Sequence, residues 1–362
     1  MHRPSPRTAF TVMLAAFALA VTPGCADAKK RKNRTVAMQP EGEPEAFTYG
    51  RRADVVRFAD DIAERRGLDP AWVEAALAHA RFLPSVARAI MPPPSGTPKS
   101  WVAYRARFVE PTRIRAGVAF WGANEKWLAM AEEVYGVPPE IVVGIVGVES
   151  IYGRQMGNFR IIDALATLAF DFPTGRSDRS AFFKDELESW FVLCKSEGID
   201  PVAWKGSYAG AIGMAQFMPS SFNKYAVDLD GDGHVNLHDS AADVIGSVAH
   251  YLAEFGWKRG LPVRFAVQPP TDTADRAALL VPDIVPTFSV EEMQARGAVL
   301  PAEAAGVDSA LALVELQNGS AAPSYVAGTS NFYAVTRYNW SSYYALAVVE
   351  LGEAVKAARG RT

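Results

Sequence analysis

Glu149 is the first charged residue after eight consecutive apolar or glycine positions, Ile141 to Val148. A carboxyl emerging from such a low-dielectric wall is disfavoured in its ionised form, which makes it a candidate general acid near neutral pH. The motif alone leaves a second reading open, a solvated residue at a helix end or a partner of Arg154. Downstream, the run from Ser207 to Ser220, SYAGAIGMAQFMPS, is built of small residues past which a backbone can approach a ligand, with the Ser207 hydroxyl and the Gln216 amide to orient it. Tight helix packing would use the same residues. A third cluster, Asp228-Leu229-Asp230-Gly231-Asp232-Gly233-His234-Val235, offers carboxylates at positions 1, 3 and 5, glycine at 6 and an apolar residue at 8, the arrangement of an EF-hand calcium loop. Hard oxygen donors favour Ca2+ over zinc despite His234 and His238. Position 12 is Asp239 in place of the usual glutamate.

The elements that must position these residues follow from the hydrophobic patterning. Val137-Pro138-Pro139-Glu140 reads as a helix start, with proline in the first turn and an acid near the positive end of the dipole. The β-branched residues that follow would also suit a buried strand, but the proline start and the length favour a helix ending at Glu149. Upstream, residues 49–135 are a mostly helical part, with Val55, Phe58, Ala59 and Ile62 on one face and a helix from Asp69-Pro70 to Ala80, interrupted by the proline-rich loop Met91 to Pro98. Residues 136–260 carry the motifs and form the core. In residues 261–330 the helical periodicity gives way, and Pro262 to Val267, Val281 to Val285 and Ala310 to Leu316 read as short strands of a small β-rich insertion. Residues 331–362 end in a helix from about Ser342. Asp163 opens DALATLAF and reads as a helix cap or structural carboxylate. The chain is therefore α+β, mainly α.

Residues 1–24 read as an export signal: Arg3 and Arg7, an apolar run from Ala9 to Val21, then Thr22-Pro23-Gly24-Cys25. Cys25 stands where the lipidated cysteine of a bacterial lipoprotein would stand; ordinary cleavage near Ala26 or Ala28 is the alternative. Either route leads to the periplasm, lipid-anchored or soluble, and the absence of aspartate after Cys25 favours the outer membrane. Cys194 would then be the only other thiol, a small core residue, so no internal disulfide is expected in a mature chain. Residues 25–48, opening with Lys29 to Lys32, read as a polar tether. With 37 Lys and Arg against 40 Asp and Glu the formal charge is −3, and −5 without the signal, which argues against a nucleic-acid partner.

Six stretches in order, GVESIYGR, GNFRIIDALATLAFDFP, FFKDELESWF, GSYAGAIGMAQFMPSSF, DLDGDGHVNL and NFYAVTRYNWSSYYALAV, resemble the lytic murein transglycosylases of the membrane-bound B type, over a span from about residue 50 to the C-terminus. The resemblance implies a lysozyme-like helical core acting on peptidoglycan glycan strands with no organic cofactor. It assigns Glu149 as the one catalytic carboxylate, first protonating the bond between N-acetylmuramic acid and N-acetylglucosamine, then accepting the proton of the muramoyl C6 hydroxyl as a 1,6-anhydro ring closes. It also implies that Ser207, Gln216, Tyr251, Tyr338, Asn339, Tyr344 and Arg179 hold the sugars, with Arg176 as a possible substitute for Arg179. For the metal it implies Asp228, Asp230, Asp232, the His234 carbonyl and Asp243 as closing ligand, although Ser240 to Asp243 also has capping-box spacing. Two other readings keep the fold: a non-catalytic peptidoglycan-binding or scaffolding protein, and a hydrolytic muramidase, which would require a second carboxylate.

Overall fold

Proline and side-chain caps set where most helices begin. The computed structural model describes residues 47–50, 52–92 and 98–360. The export signal, Cys25, most of the tether and residues 93–97 of the proline-rich loop lie outside the described residues. Helices α1 (Ala53–Arg66), α2 (Pro70–Ala78), α3 (Pro84–Ala89), α4 (Trp101–Phe108), α5 (Pro111–Ala123) and α6 (Glu125–Tyr135) form the N-terminal part. Asp69 caps α2 through the Ala71 N–H, and Glu110 caps α5 through those of Thr112 and Arg113. This part is pinned to the core by Asp171, which accepts from the Tyr49 hydroxyl at 2.7 Å and the Arg52 guanidinium at 2.6 Å.

The core begins with α7 (Pro139–Ser150), a helix rather than a strand. Each Val or Ile costs a few tenths of a kcal/mol in helix propensity relative to Ala. Burying each side chain returns about 1.5–3 kcal/mol, and Ile141, Val142, Val143, Ile145 and Val146 are all buried. Packing therefore overrides propensity. An antiparallel pair, β1 (Phe159–Arg160) and β2 (Lys205–Gly206), brackets α8 (Ile161–Phe170) and α9 (Ser180–Ser196), and α10 (Pro219–Tyr225) and α11 (Ala241–Glu254) complete this half.

After α11 the chain makes β3 (Arg264–Ala266), α12 (Thr273–Leu280), α13 (Val290–Ala295), β4 (Ala312–Asn318) and β5 (Ala321–Gly328), with the antiparallel strand order β3-β5-β4. Phe265, Leu279, Val290, Met293, Leu311 and Leu313 form a core of their own here. The insertion is mixed, a three-stranded sheet with two helices beside it. Val281 to Val285 is not a strand but the turn leaving α12, with Val281 81% exposed, whereas the two flanking runs shift by one or two residues into β3 and β4. The strand that hydrophobic patterning does not reveal is β5, whose Ala-Ala-Pro start lacks β-branched residues. Its signal is Asn318-Gly319, a hairpin turn in which Gly319 takes φ 64°. Beyond the sheet, buried Thr329 clasps both ends of the insertion, its hydroxyl donating to the carbonyls of Pro262 at 2.7 Å and Val263 at 3.0 Å.

Helix α14 (Ser330–Tyr338) leads into α15 (Ser342–Arg359), which packs along α7. The two backbones approach closely: a Cβ on Gly144 would lie 2.2 Å from the Val348 carbonyl oxygen, and one on Gly352 would lie 2.0 Å from that of Glu140. Glycine permits this distance, and it brings the start of α15 against the end of α7.

Candidate active site

Glu149 occupies the last turn of α7, and the turn beyond it is unusual. Ile151, Tyr152 and Gly153 take φ of 51°, 55° and 84°, so three successive residues are left-handed. For a β-branched residue such as Ile151 this is an uncommon conformation, held only where the surroundings over-determine it. Ser150 does so: its buried hydroxyl accepts from the Gly153 N–H at 3.0 Å and donates to the Met214 carbonyl at 2.8 Å. The end of α7 is thereby fastened to the small-residue run.

That run is a loop whose polar side chains hold its own backbone. Ser207, buried, accepts from the N–H groups of Ala209 at 3.2 Å and Ala211 at 3.0 Å. Gln216, left-handed at φ 52°, donates its amide to the carbonyls of Gly213 at 2.8 Å and Met156 at 3.2 Å. Loop and acid are thus one rigid unit.

Tyr344, at the start of α15, donates its hydroxyl to Glu149 Oε1 at 2.5 Å. Tyr338 stacks on Tyr344 with ring centres 6.3 Å apart and donates to the Ala215 carbonyl at 2.5 Å. Tyr251 lies 4.9 Å from the Tyr338 ring and donates to the Arg337 carbonyl at 2.6 Å. Burial holds the hydroxyls of Tyr344 and Tyr338 far above the usual tyrosine range, so both stay neutral donors. Asn339, buried, ends α14 within this segment. Tyr104 on α4 joins the site without having been singled out by any sequence motif. Burial and then the Glu149 charge push its hydroxyl up to about 12, and its ring lies 5.8 Å from that of Tyr343. Its one signal is the aromatic spacing Trp101, Tyr104, Phe108 on one helix face.

Glu149 keeps part of its surface open, yet the carboxyl is enclosed by protein. Burial pushes its pKa up to about 7, opposed only by the Tyr344 hydrogen bond. No other carboxylate contributes. Asp163 is not a helix cap: Arg160 holds the cap position of α8, and Asp163 accepts from the Arg81 N–H at 3.0 Å and from the Arg160 guanidinium at 2.7 Å. Asp171 is committed to Tyr49 and Arg52. Arg179 is held over the rings of Phe182 and Phe183 at 4.6 and 5.7 Å, outside the contacts that link Glu149 to the tyrosines. Arg176 donates to the Ile90 carbonyl and lies close enough to Tyr208 to favour its ionised form, against a larger opposing effect of burial.

In the acidic loop, Asp228, Asp230 and Asp232 bring one carboxylate oxygen each within 4.8 Å of one another. Hard donors that close suit Ca2+, and without a cation they repel. Asp228 folds the loop by accepting from the N–H groups of Gly231, Asp232 and Gly233 at 2.7, 3.2 and 2.8 Å. Asp243 stands outside the three-carboxylate group: its oxygens accept from the N–H groups of Leu229 at 3.0 Å and Asn236 at 2.8 Å, tying the two ends of the loop. Asp239 and His234 are exposed. Only half of the capping box forms, the Ser240 hydroxyl accepting from the Asp243 N–H at 3.2 Å. The loop is bolted to the site, because Met214 N–H donates to the Leu237 carbonyl at 2.8 Å.

The pattern of the transglycosylase SLT domain family matches residues 50–353. The chain is 41% identical over 320 residues to membrane-bound lytic murein transglycosylase B of Escherichia coli (strain K12), spanning 86% of this chain and 85% of that one. It is similar to the crystal structure of the Escherichia coli lytic transglycosylase Slt35 in complex with calcium, with 39% identity, TM-score 0.75, and coverage of 86% of this chain and 95% of that one. It is also similar to SltB3 from Pseudomonas aeruginosa in complex with NAG-anhNAM-pentapeptide, with 30% identity, TM-score 0.70, and coverage of 83% and 79%.

Proposed function

The chain belongs to the transglycosylase SLT domain family and is a lytic murein transglycosylase, and from that premise we propose that Glu149 alone supplies both proton transfers of the reaction. The enzyme breaks the β-1,4 bond between N-acetylmuramic acid and N-acetylglucosamine in peptidoglycan and leaves a 1,6-anhydromuramoyl end. The observation that carries the proposal is that the enclosed Glu149 carboxyl accepts the Tyr344 hydroxyl and that, among the described residues, no second carboxylate acts on it. A hydrolase needs a second carboxylate to attack or to activate water, and the nearest candidates in sequence, Asp163 and Asp171, are spent on ion pairs.

Near neutral pH the buried Glu149 carboxyl still holds its proton and gives it to the glycosidic oxygen as the bond to C1 breaks. The positive charge left at C1 is met by the acetamido group of the same muramoyl residue. Glu149, now an anion, takes the proton of the C6 hydroxyl while that oxygen bonds C1, which restores the acid and consumes no water. The Tyr344 hydroxyl fixes the carboxyl rotamer and stabilises the anion midway. Tyr338, Tyr251 and Asn339 offer ring faces and an amide to the sugars, with Ser207 and Gln216 shaping the loop beneath them and Arg179 at its far side. Mass spectrometry of soluble products from purified peptidoglycan tests the reaction: anhydromuramoyl ends support it, and reducing ends, heavier by one water, would replace it with hydrolysis.

Tyr344→Phe tests the acid itself. The active form is protonated, so activity falls as pH rises through about 7. Removing the one interaction that lowers this pKa moves the descending limb of the pH–rate profile to higher pH, while kcat at the optimum drops. A purely structural role for Tyr344 would lower the rate without moving the limb.

The same reading includes a structural Ca2+ held by Asp228, Asp230 and Asp232, supported by their spacing and by the calcium complex of the Escherichia coli relative. The ion would supply charge neutralisation to the loop that abuts the site. Excess Ca2+ is expected to raise the melting temperature, by a stabilisation of about 2.7 kcal/mol at a hundredfold excess over its dissociation constant. Asp232→Ala, which spares the Asp228 hydrogen bonds, should abolish the shift. The reading further places the enzyme in the periplasm, anchored through a lipidated Cys25 to the outer membrane. The signal motif and the membrane-bound relative support it; among the described residues no helix is long and apolar enough to cross a membrane.

A further inference from the structure

Beside Tyr251 a cavity of about 160 Å3 is lined by Lys224, Arg337, Ser221, Tyr225, Phe255 and Trp340, with Ser220 and Tyr251 completing its wall. Its lining holds two cations and no carboxylate. Arg337 is held over three rings, those of Trp340, Phe255 and Tyr333, at 4.9, 5.3 and 5.8 Å. Stacking fixes the plane of a guanidinium while leaving its N–H donors at the edge. Among the described residues Arg337 makes no ion pair and no side-chain hydrogen bond, so its donors are left facing the cavity without a partner among those residues. Two acids stand nearby: Glu254, whose charge reaches Tyr225 in the lining and which lies 3.6 Å from the His250 ring, and Glu186, close enough to Lys224 to feel its charge. Glu186 is buried, and its two oxygens are taken up by the Ser220 N–H at 2.9 Å and hydroxyl at 2.7 Å.

We propose that Arg337 and Lys224 form a carboxylate-binding pocket that reads the muramoyl substituent of the substrate next to the sugar held by Tyr251 and Tyr338. A planar, stacked guanidinium matches a carboxylate with two parallel hydrogen bonds. A neutral sugar ring would leave the Arg337 guanidinium without a charged partner. The pocket is continuous with the site: Tyr251 lines it, bonds the Arg337 carbonyl and faces Tyr338, which stacks on the tyrosine bound to Glu149. The inference rests on the reading of peptidoglycan as substrate. A carboxylate there has two sources, the peptide stem or the lactyl group once the stem is gone.

The test measures affinity by calorimetry in the full chain carrying Glu149→Gln, with and without Arg337→Gln. Three muramoyl tetrasaccharides serve as probes: one with free-acid peptide stems, one whose stem carboxylates are amidated, and one whose stems have been cut away to expose the lactyl carboxylate. Arg337→Gln is expected to weaken a carboxylate-bearing probe about tenfold or more and the amidated probe less than twofold. A loss confined to the free-acid stem identifies the stem as ligand, and a loss confined to the third probe identifies the lactyl group. Arg337→Lys, keeping charge without the fork, should fall between. Equal loss on all three probes, or no loss on any, overturns the pocket while leaving the transglycosylase reading intact. Failure of every probe to bind before Arg337 is changed overturns both.

Discussion

Glu149→Gln reduces release of anhydromuramoyl products by about a thousandfold or more, because general acid–base catalysis contributes about 10²–10⁴ and here one group performs both transfers. Glutamine keeps the shape and can still accept the Tyr344 hydroxyl, so the loss reports chemistry rather than folding. Stability moves the other way. The carboxyl titrates at about 7 in the folded chain against 4.5 for an ordinary glutamate, so the native state holds its proton more tightly. The stabilisation this gives is fully present below 4.5 and is lost as pH rises to about 7, with a limiting slope near 1.4 kcal/mol per pH unit. Glutamine imitates the protonated form at every pH. The melting temperature of Glu149→Gln should therefore match wild type in acid and exceed it increasingly up to neutrality. A variant that loses activity and also melts lower throughout would mean that Glu149 serves the fold.

Gly144→Ala should be strongly damaging to the core. On propensity alone, alanine in mid-helix gains up to about 1 kcal/mol over glycine. Against this, the new methyl would sit 2.2 Å from the Val348 carbonyl oxygen, a backbone atom that cannot swing aside as the end of a flexible side chain can. Overpacking of this kind costs about 3 kcal/mol, so the steric effect wins and denaturant melts should show a clear net loss. Separating α15 from α7 also carries Tyr344 away from Glu149, so activity falls further than the unfolded fraction explains. Gly122→Ala is the control: that position is exposed, with nothing near its Cβ, and should be neutral or slightly stabilising.

What the sequence disclosed was local. Proline at the head of α7, an apolar run and a terminal Glu149 lie within one helix, and the three aspartates of the acidic loop lie within five residues. Such patterns carry their own geometry. The partners of these groups did not, because they are set by packing between distant segments: Tyr104 joins the site only once α4 lies against α15, and Asp163 meets Arg81 only when the N-terminal helices dock. Asp243 shows the same limit. Its spacing suits a ligand or a cap equally, and only the fold reveals that its carboxylate ties Leu229 to Asn236. In the insertion, β-branched content misled at Val281, where the residues flank a helix, whereas the Asn318-Gly319 turn was the better guide.

The clasp at Thr329 has a consequence for how such chains diverge. Arg264 pairs directly with Gly328, and Thr329 grips the carbonyls of Pro262 and Val263, so the polypeptide departs from the main body and returns to it at a single point. Of the residues between, only part belong to the separate core: Ala312, Val314, Leu316 and Val326 pack into the main one, and the Tyr343 hydroxyl, next to Tyr344, donates to the Gln317 carbonyl. Changes confined to α12, α13 and the segment before β4 leave α11 and α14 in register with each other, whereas loss of β4 would uncover the main core beside α4 and α15. Evolution can lengthen or exchange those outer helices as a module, while the sheet stays bound to the helix that carries Tyr344.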